Sequence, residues 1–235
     1  MHRIPVLLAA LPLILASPAT SLAVASSDSP VVVELFTSQG CSSCPPANAN
    51  LIELARRPYV LALSFAVTYW DYLGWKDSFG KPEFTDRQVT YEPGLHQPGP
   101  YTPQMVINGT TTAVGNNLAE VVRLVEHAAP VAGPQITIAG PSVTVAAGDA
   151  PPSGADVWLV QYEPGVIDVP VARGENTGRT LPHAHVVRAL QRLGTWAGSA
   201  ISFQRPETAT GLRTAILVQV TRGGRILAAS TDAQG

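Results

Sequence analysis

The two cysteines of this chain, Cys41 and Cys44, are separated by two serines and followed directly by Pro45 and Pro46. A Cys-x-x-Cys pair admits three chemistries: thiol–disulfide exchange, metal binding, or a structural disulfide. A staple stabilises by closing a long loop, and a two-residue gap closes almost nothing. Zinc needs further ligands, and the sequence holds no second cysteine pair. Exchange is favoured on these grounds. It requires an ionised sulfur, because the thiolate is the nucleophile. A helix that begins at the pair offers unpaired backbone N–H groups and the positive end of its dipole. Cys41 is then expected to be the exposed, attacking sulfur, and Cys44, one turn further in, the resolving one.

Other residues can join that chemistry. Pro103 follows Thr102 at the head of the strand-like run "QMVI". A proline there removes a ladder donor, and a cis X-Pro bond explains such a position. The Thr102 backbone would then lie against the cysteines and hold an extended substrate. Glu34 is the one charge in "VVVELFT". A carboxylate buried in a strand is costly unless paired or neutral, and beside a dithiol it can take the proton of the resolving thiol. In "YWDYLGW", Trp70, Asp71 and Trp75 follow the second strand at the edge where the cysteine turn lies, so they are expected to wall a substrate groove. Asp71 also suits a turn. His183 and His185 alternate, and in a strand they share one face, a geometry open to copper or zinc. No third ligand is evident near them.

The elements that must carry these residues can be read in order. "VVVELFT" is a short apolar strand. "CPPANANLIELARR" is a helix whose prolines suit a first turn, where missing N–H groups cost little. "YVLALSFAVTYW" is a strand covered on both faces, and strand–helix–strand makes the two strands parallel. "TDRQVTYEPG" is a short helix with Thr85 as its cap, "TPQMVING" a strand ending in an Asn-Gly hairpin turn, and "NNLAEVVRLVEHAA" a helix begun by Asn116 or Asn117. After "PVAGP" come short alternating runs with Gly and Pro between them, interrupted by the polar stretch "RGENTGRTLPHAHVVRALQRLGTWAG". The expected architecture is α/β: one domain over residues 30–130, then a mostly antiparallel β domain over 133–235 that suits a small sandwich.

Composition narrows the function classes. The chain is 46% hydrophobic with a net charge of −2 and no basic run, which argues against a nucleic-acid partner. Residues 1–25 read as a signal peptide, with Arg3 before an apolar run and Ala23-Val24-Ala25 as the cleavage pattern. The mature chain is then exported, periplasmic or secreted, without a stable membrane span. Outside the cytosol a disulfide can persist.

The order strand, Cys-x-x-Cys, helix, strand, then Thr-Pro opening a strand and a final helix resembles the thioredoxin superfamily. More closely, "ELFTSQGCSSCPPAN", "YWDYLGWKDSF", "YTPQMVING" and "GRTLPHAHVVR" resemble an exported thioredoxin-like family of unknown function, the domain-of-unknown-function family numbered 1223. The resemblance runs from about Val31 to the end. It implies a thioredoxin-like fold, Cys41 and Cys44 as the redox pair, and Pro103 as a cis-proline. Ser42 and Ser43 depart from the Gly, Pro, His or Tyr that most such enzymes carry between the cysteines, which leaves the direction of electron flow open.

The expected function is exported thiol–disulfide exchange on a protein or small thiol/disulfide substrate, with the Cys41–Cys44 disulfide as the redox centre and no other cofactor. Two alternatives stand beside it: a copper or other metal handler using the cysteines, and a non-enzymatic interaction protein with an inert disulfide.

Overall fold

The computed structural model describes residues 30–129 and 131–232; the expected signal peptide lies outside them. The elements in order are β1 (Val31–Thr37), α1 (Pro45–Ala55), β2 (Val60–Ala66), a 3-10 turn (Asp71–Leu73), α2 (Pro82–Leu95), β3 (Gln104–Ile107), β4 (Thr111–Ala113) and α3 (Leu118–Glu126). The second half is all strand: β5 (Ile136–Ala139), β6 (Ser142–Val145), β7 (Ala155–Pro170), β8 (Thr180–Trp196), β9 (Ile201–Gln204), β10 (Arg213–Val220) and β11 (Ile226–Thr231). No helix among the described residues is long and apolar enough to cross a membrane.

β1 and β2 are parallel neighbours joined through α1, as the βαβ pattern requires. β3 lies antiparallel to β1 on the other side and turns into β4. The turn is Asn108-Gly109, both with positive φ, the conformation an Asn-Gly hairpin supplies. Asn108 also ties the turn into the core: its Oδ1 accepts from the Val32 N–H at 2.8 Å and its Nδ2 donates to the Ala129 carbonyl at 2.9 Å. Asn117 caps α3 by accepting from the Glu120 N–H at 3.1 Å. Thr85 is no cap. α2 begins earlier, at Pro82, and the Thr85 hydroxyl instead accepts from the Thr68 N–H at 3.1 Å.

The mixed α/β molecule has one large sheet core. Its eight strands run β11-β10-β7-β8-β2-β1-β3-β4, so the sheet passes across the boundary expected near Gly133. β8 joins the edge of β2 in parallel, with Ser64 opposite Val186. The two runs "ADVWLVQYE" and "VIDVPVA" form one strand of 16 residues, β7, bent by a bulge between Glu163 and Val166. The stretch read as a polar interruption contains β8, 17 residues long. A bulge lets a strand bend while it keeps its partner, so the Pro164-Gly165 punctuation did not end it. Among the described residues the short β5-β6-β9 sheet stands apart, stacked on the far half of the large sheet through Val143, Val145, Trp196 and Ile216.

The large sheet is buried on both faces around β1. Val31, Val33 and Leu35 pack on Leu51 and Leu54 of α1, and Val32 and Phe36 face Phe84 and Tyr91 of α2. This alternation decides which side chains can reach the cysteines.

Candidate active site

The cysteine turn sits between the end of β1 and the start of α1. Cys44 occupies the N-cap position, with Pro45 and Pro46 in the first turn. The Cys41 N–H donates to the Ser38 carbonyl at 3.1 Å, and the Cys44 N–H to the Cys41 carbonyl at 3.3 Å. A Cβ at Gly40 would stand 3.1 Å from Cβ of Trp70, so a larger residue here would press on that side chain.

Both cysteines are free thiols and both are buried, Cys41 at 1% exposure and Cys44 at 0%. The exposed attacking sulfur expected at Cys41 is therefore corrected. Its Sγ lies 3.2 Å from the Ser43 hydroxyl and 3.8 Å from the Thr102 carbonyl, and a loop from the second half holds its backbone. In that loop Asn176, fully buried, donates through Nδ2 to the Gln39 carbonyl at 3.0 Å and the Cys41 carbonyl at 2.9 Å. Arg179 steadies Asn176 at 2.8 Å, and Glu175 accepts from the Ser42 N–H at 3.0 Å.

The two thiols differ in acidity. A hydrogen bond from Cys44, followed by those from Ser43 and Thr102, lowers the Cys41 thiol to about 6 against the opposing effect of burial. Burial, with the Cys41 sulfur beside it, pushes Cys44 far up, while the Thr37 hydroxyl works weakly the other way. One sulfur is thus prepared as a thiolate and its neighbour held as a thiol.

Thr102 and Pro103 lie against this pair. Their peptide bond is cis, and the Thr102 carbonyl faces both Cys41 and, at 3.4 Å, the Ser43 hydroxyl. Trp70 positions Thr102 by donating from Nε1 to its hydroxyl at 2.7 Å. Trp75 donates to Gln39 Oε1 at 2.9 Å, one residue before Gly40. Asp71 does not reach the pair; it starts the 3-10 turn and accepts from the Asp77 N–H at 3.1 Å.

Glu34 lies elsewhere. It shares the face of Val32 and Phe36, away from α1, and its carboxylate is held by Arg87 Nε at 2.6 Å and by the Tyr91 hydroxyl. Gln219 closes the cluster by donating to Tyr91 at 2.9 Å. Glu34 is a member of a buried ion pair, and the proton-relay role expected for it is withdrawn on this geometry.

The histidines part company. His185 has φ +47, which breaks the alternation, and its Nδ1 meets the Ala62 carbonyl at 3.0 Å. His183 turns instead toward α1, where Nδ1 lies 3.4 Å from Asn48 Nδ2. Among the described residues no group of three His, Cys, Asp or Glu side chains is arranged to hold a metal.

Sequence reasoning missed Asp77, Asn176, Thr37 and Asn48. Asp77 is buried, accepts from the Gln39 N–H at 2.7 Å and the Phe79 N–H at 2.9 Å, and is raised by burial to about 6. Asn48 carried a usable signal: it lies four residues after Cys44, on the same helix face. Asp77 and Asn176 arrive through contacts distant in sequence.

Among solved structures, the chain resembles a crystal structure of a protein from Agrobacterium tumefaciens, with 30% identity over 91% of this chain and 99% of that one and a TM-score of 0.73. It also resembles HBP35 of Porphyromonas gingivalis, with 15% identity over 88% of this chain and 75% of that one and a TM-score of 0.59, a likeness of fold alone. No curated protein matches. Residues 32–220 match the family model described as Protein of unknown function (DUF1223), and the chain belongs to that family.

Proposed function

We propose that this chain is an exported thiol–disulfide oxidoreductase with a thioredoxin-like active-site arrangement. The observation that carries the reading is the placement of Cys41 Sγ between the Cys44 thiol at the head of α1 and the Thr102 carbonyl at the cis Thr102-Pro103 bond. The Cys44 thiol and the Ser43 hydroxyl beside Cys41 favour its thiolate, and the Thr102 backbone offers an acceptor to an extended substrate strand. Export rests on the leader-like residues 1–25.

In the reducing direction the Cys41 thiolate attacks a substrate disulfide. A Cys41–substrate disulfide forms, and the displaced sulfur leaves as a thiolate. Cys44 then gives up its proton and attacks the Cys41 sulfur. The Cys41–Cys44 disulfide forms, and the second substrate sulfur leaves with the electron pair and takes up the proton. Two electrons pass from the pair to the substrate, and the oxidising direction is the same path reversed.

The test is trapping. Cys44→Ala removes the second step, so a disulfide substrate should stay attached through Cys41. The potential of the wild-type couple against glutathione then fixes the direction of flow. An unmodified Cys41 after incubation with disulfide substrates, together with no exchange by the wild type, sinks the proposal.

A further inference from the structure

A cavity of about 190 Å³ lies between α2 and the large sheet, and no residue of the cysteine turn lines it. α2 walls one side, and β7, β8 and the turn between β10 and β11 wall the other, so both halves of the chain build it. Trp158 of β7 and Leu190 of β8 give it a half-buried apolar wall. Gly223 lets the β10–β11 turn close against α2, because a Cβ there would stand 2.5 Å from the Thr90 carbonyl oxygen. The volume is that of about six water molecules at roughly 30 Å³ each. Sites for drug-sized ligands begin near roughly 300 Å³, so an occupant here is small.

Arg87 lines this cavity with its side chain only 5% exposed. Its place is fixed by stacking over the Tyr91 and Trp158 rings, 5.4 and 5.5 Å from their centroids. Nε donates to Glu34 at 2.6 Å, and Nη2 to the Tyr91 hydroxyl at 3.2 Å and to Gln219 Oε1 at 3.3 Å. Nη1 makes no hydrogen bond among the described residues, and it is not one of their sealed polar atoms either. Glu34 balances the guanidinium charge, so what is left over is a fixed N–H donor facing the cavity. Such a donor is a subsite for an oxygen acceptor.

The charges around it can be matched off. Glu83 faces Lys81 at 3.9 Å, and Asp156 is held by Arg192 at 2.7 Å. Asp86 and Arg222 also line the cavity, both exposed, and neither has an ion pair among the described residues. One carboxylate, one guanidinium and one unspent N–H donor therefore surround a small space with an apolar wall.

We propose that this cavity binds a free α-amino acid with an apolar side chain. The ligand carboxylate takes the Arg87 Nη1 donor and the Arg222 charge, its ammonium faces Asp86, and its side chain lies on Trp158 and Leu190. A plain carboxylate leaves Asp86 unanswered and a plain amine leaves Arg222 and Nη1 unanswered, so the zwitterion is the class that matches all three.

The test is calorimetric titration of the whole protein with L-leucine, with isocaproate, which lacks the ammonium, and with isoamylamine, which lacks the carboxylate. Leucine is expected to bind at least about tenfold more tightly than either analogue, the equivalent of one charge-assisted hydrogen bond. Asp86→Asn should weaken leucine about tenfold and leave isocaproate unchanged. Arg222→Asn, in which Asn tolerates the φ of +59 at this position, should weaken leucine and isocaproate and leave isoamylamine unchanged. Both substitutions are at exposed positions, so folding is preserved and Glu34 keeps its partner. Nitrogen NMR should show the Trp158 indole signal moving with leucine while those of Trp70 and Trp75 stay. No binding of leucine, leucine no tighter than either analogue, variants that bind as the wild type does, or movement of Trp70 or Trp75 in place of Trp158 overturns the proposal. None of these readings depends on disulfide exchange.

Discussion

Replacing Cys44 should raise the Cys41 thiol back toward its ordinary acidity. The Cys44 hydrogen bond is the largest of the effects that hold the Cys41 thiol at about 6. At pH 7 a thiol of that acidity is about nine-tenths ionised; one returned to the ordinary value near 8.5 is about 3% ionised. Cys44→Ala should therefore cut the Cys41 alkylation rate at pH 7 by as much as roughly thirtyfold. The loss will be smaller where the Ser43 and Thr102 hydroxyls, both of which also favour the thiolate, hold their positions. The assay is iodoacetamide labelling from pH 4 to 10, read by mass spectrometry at Cys41. Burial slows labelling at every pH, so the midpoint of the rate profile is the quantity to compare, not the absolute rate. The wild type should turn at about pH 6 and the variant at a clearly higher value. A wild-type midpoint near 8.5, or a variant that still turns at 6, refutes the claim that Cys44 prepares its neighbour. The trapping experiment gains a practical condition: Cys44→Ala should capture substrate best at alkaline pH.

Two further perturbations test other parts of the structure. Arg87→Met strands the buried Glu34 carboxylate, and breaking such a pair costs about 3–5 kcal/mol. Urea unfolding should register that loss, the double variant Glu34→Leu/Arg87→Met should recover much of it, and the Cys41 midpoint should stay put, whereas a shifted midpoint would return Glu34 to the active site. The acid limb of stability carries opposed slopes, one from His183 and His185, which burial lowers, and one from Asp77, which burial raises. His183, lowered by burial from 6.5 to about 4, leaves the unfolded chain binding more protons in that interval, so its contribution of about 3 kcal/mol is lost as pH falls. Asp77, raised from 3.8 to about 6, leaves the folded chain binding more and offsets that loss. His183→Gln should flatten or reverse the acid loss of melting temperature between pH 6.5 and 4, and a variant curve parallel to wild type would show that His183 is not buried neutral.

Much of the first half was legible because its signals are local. The β1–α1–β2 unit, the proline-started helix, the Asn108-Gly109 turn and the Asn117 cap each follow from a few adjacent residues. Glu34 was misplaced for a definite reason. β1 is apolar on both faces, so its alternation does not say which face α1 covers, and only the packing of Phe84 and Tyr91 assigns Glu34 to the other side. His183 and His185 were expected on one face because alternation assumes extended backbone, and the positive φ of His185 removes that assumption. The pairing of β8 with β2 joins residues more than a hundred positions apart, and no local pattern encodes it. Asn176 was invisible for the same reason: its role exists only because the loop between β7 and β8 returns to the cysteine turn.

The junction of β2 and β8 has a consequence for how the molecule can be divided. β2, "VLALSFA", is buried along its whole length, with β1 on one side and β8 on the other. A fragment ending near Gly133 would keep both cysteines and the Thr102-Pro103 bond, yet it would expose β2 as a long apolar edge. Such an edge is a template for pairing with other chains. The fragment would also lose the Asn176 amide from the Cys41 carbonyl and His183 from Asn48. The strand-rich half thus acts as the edge guard of the half that carries the cysteines, and a fragment that keeps β2 covered includes both.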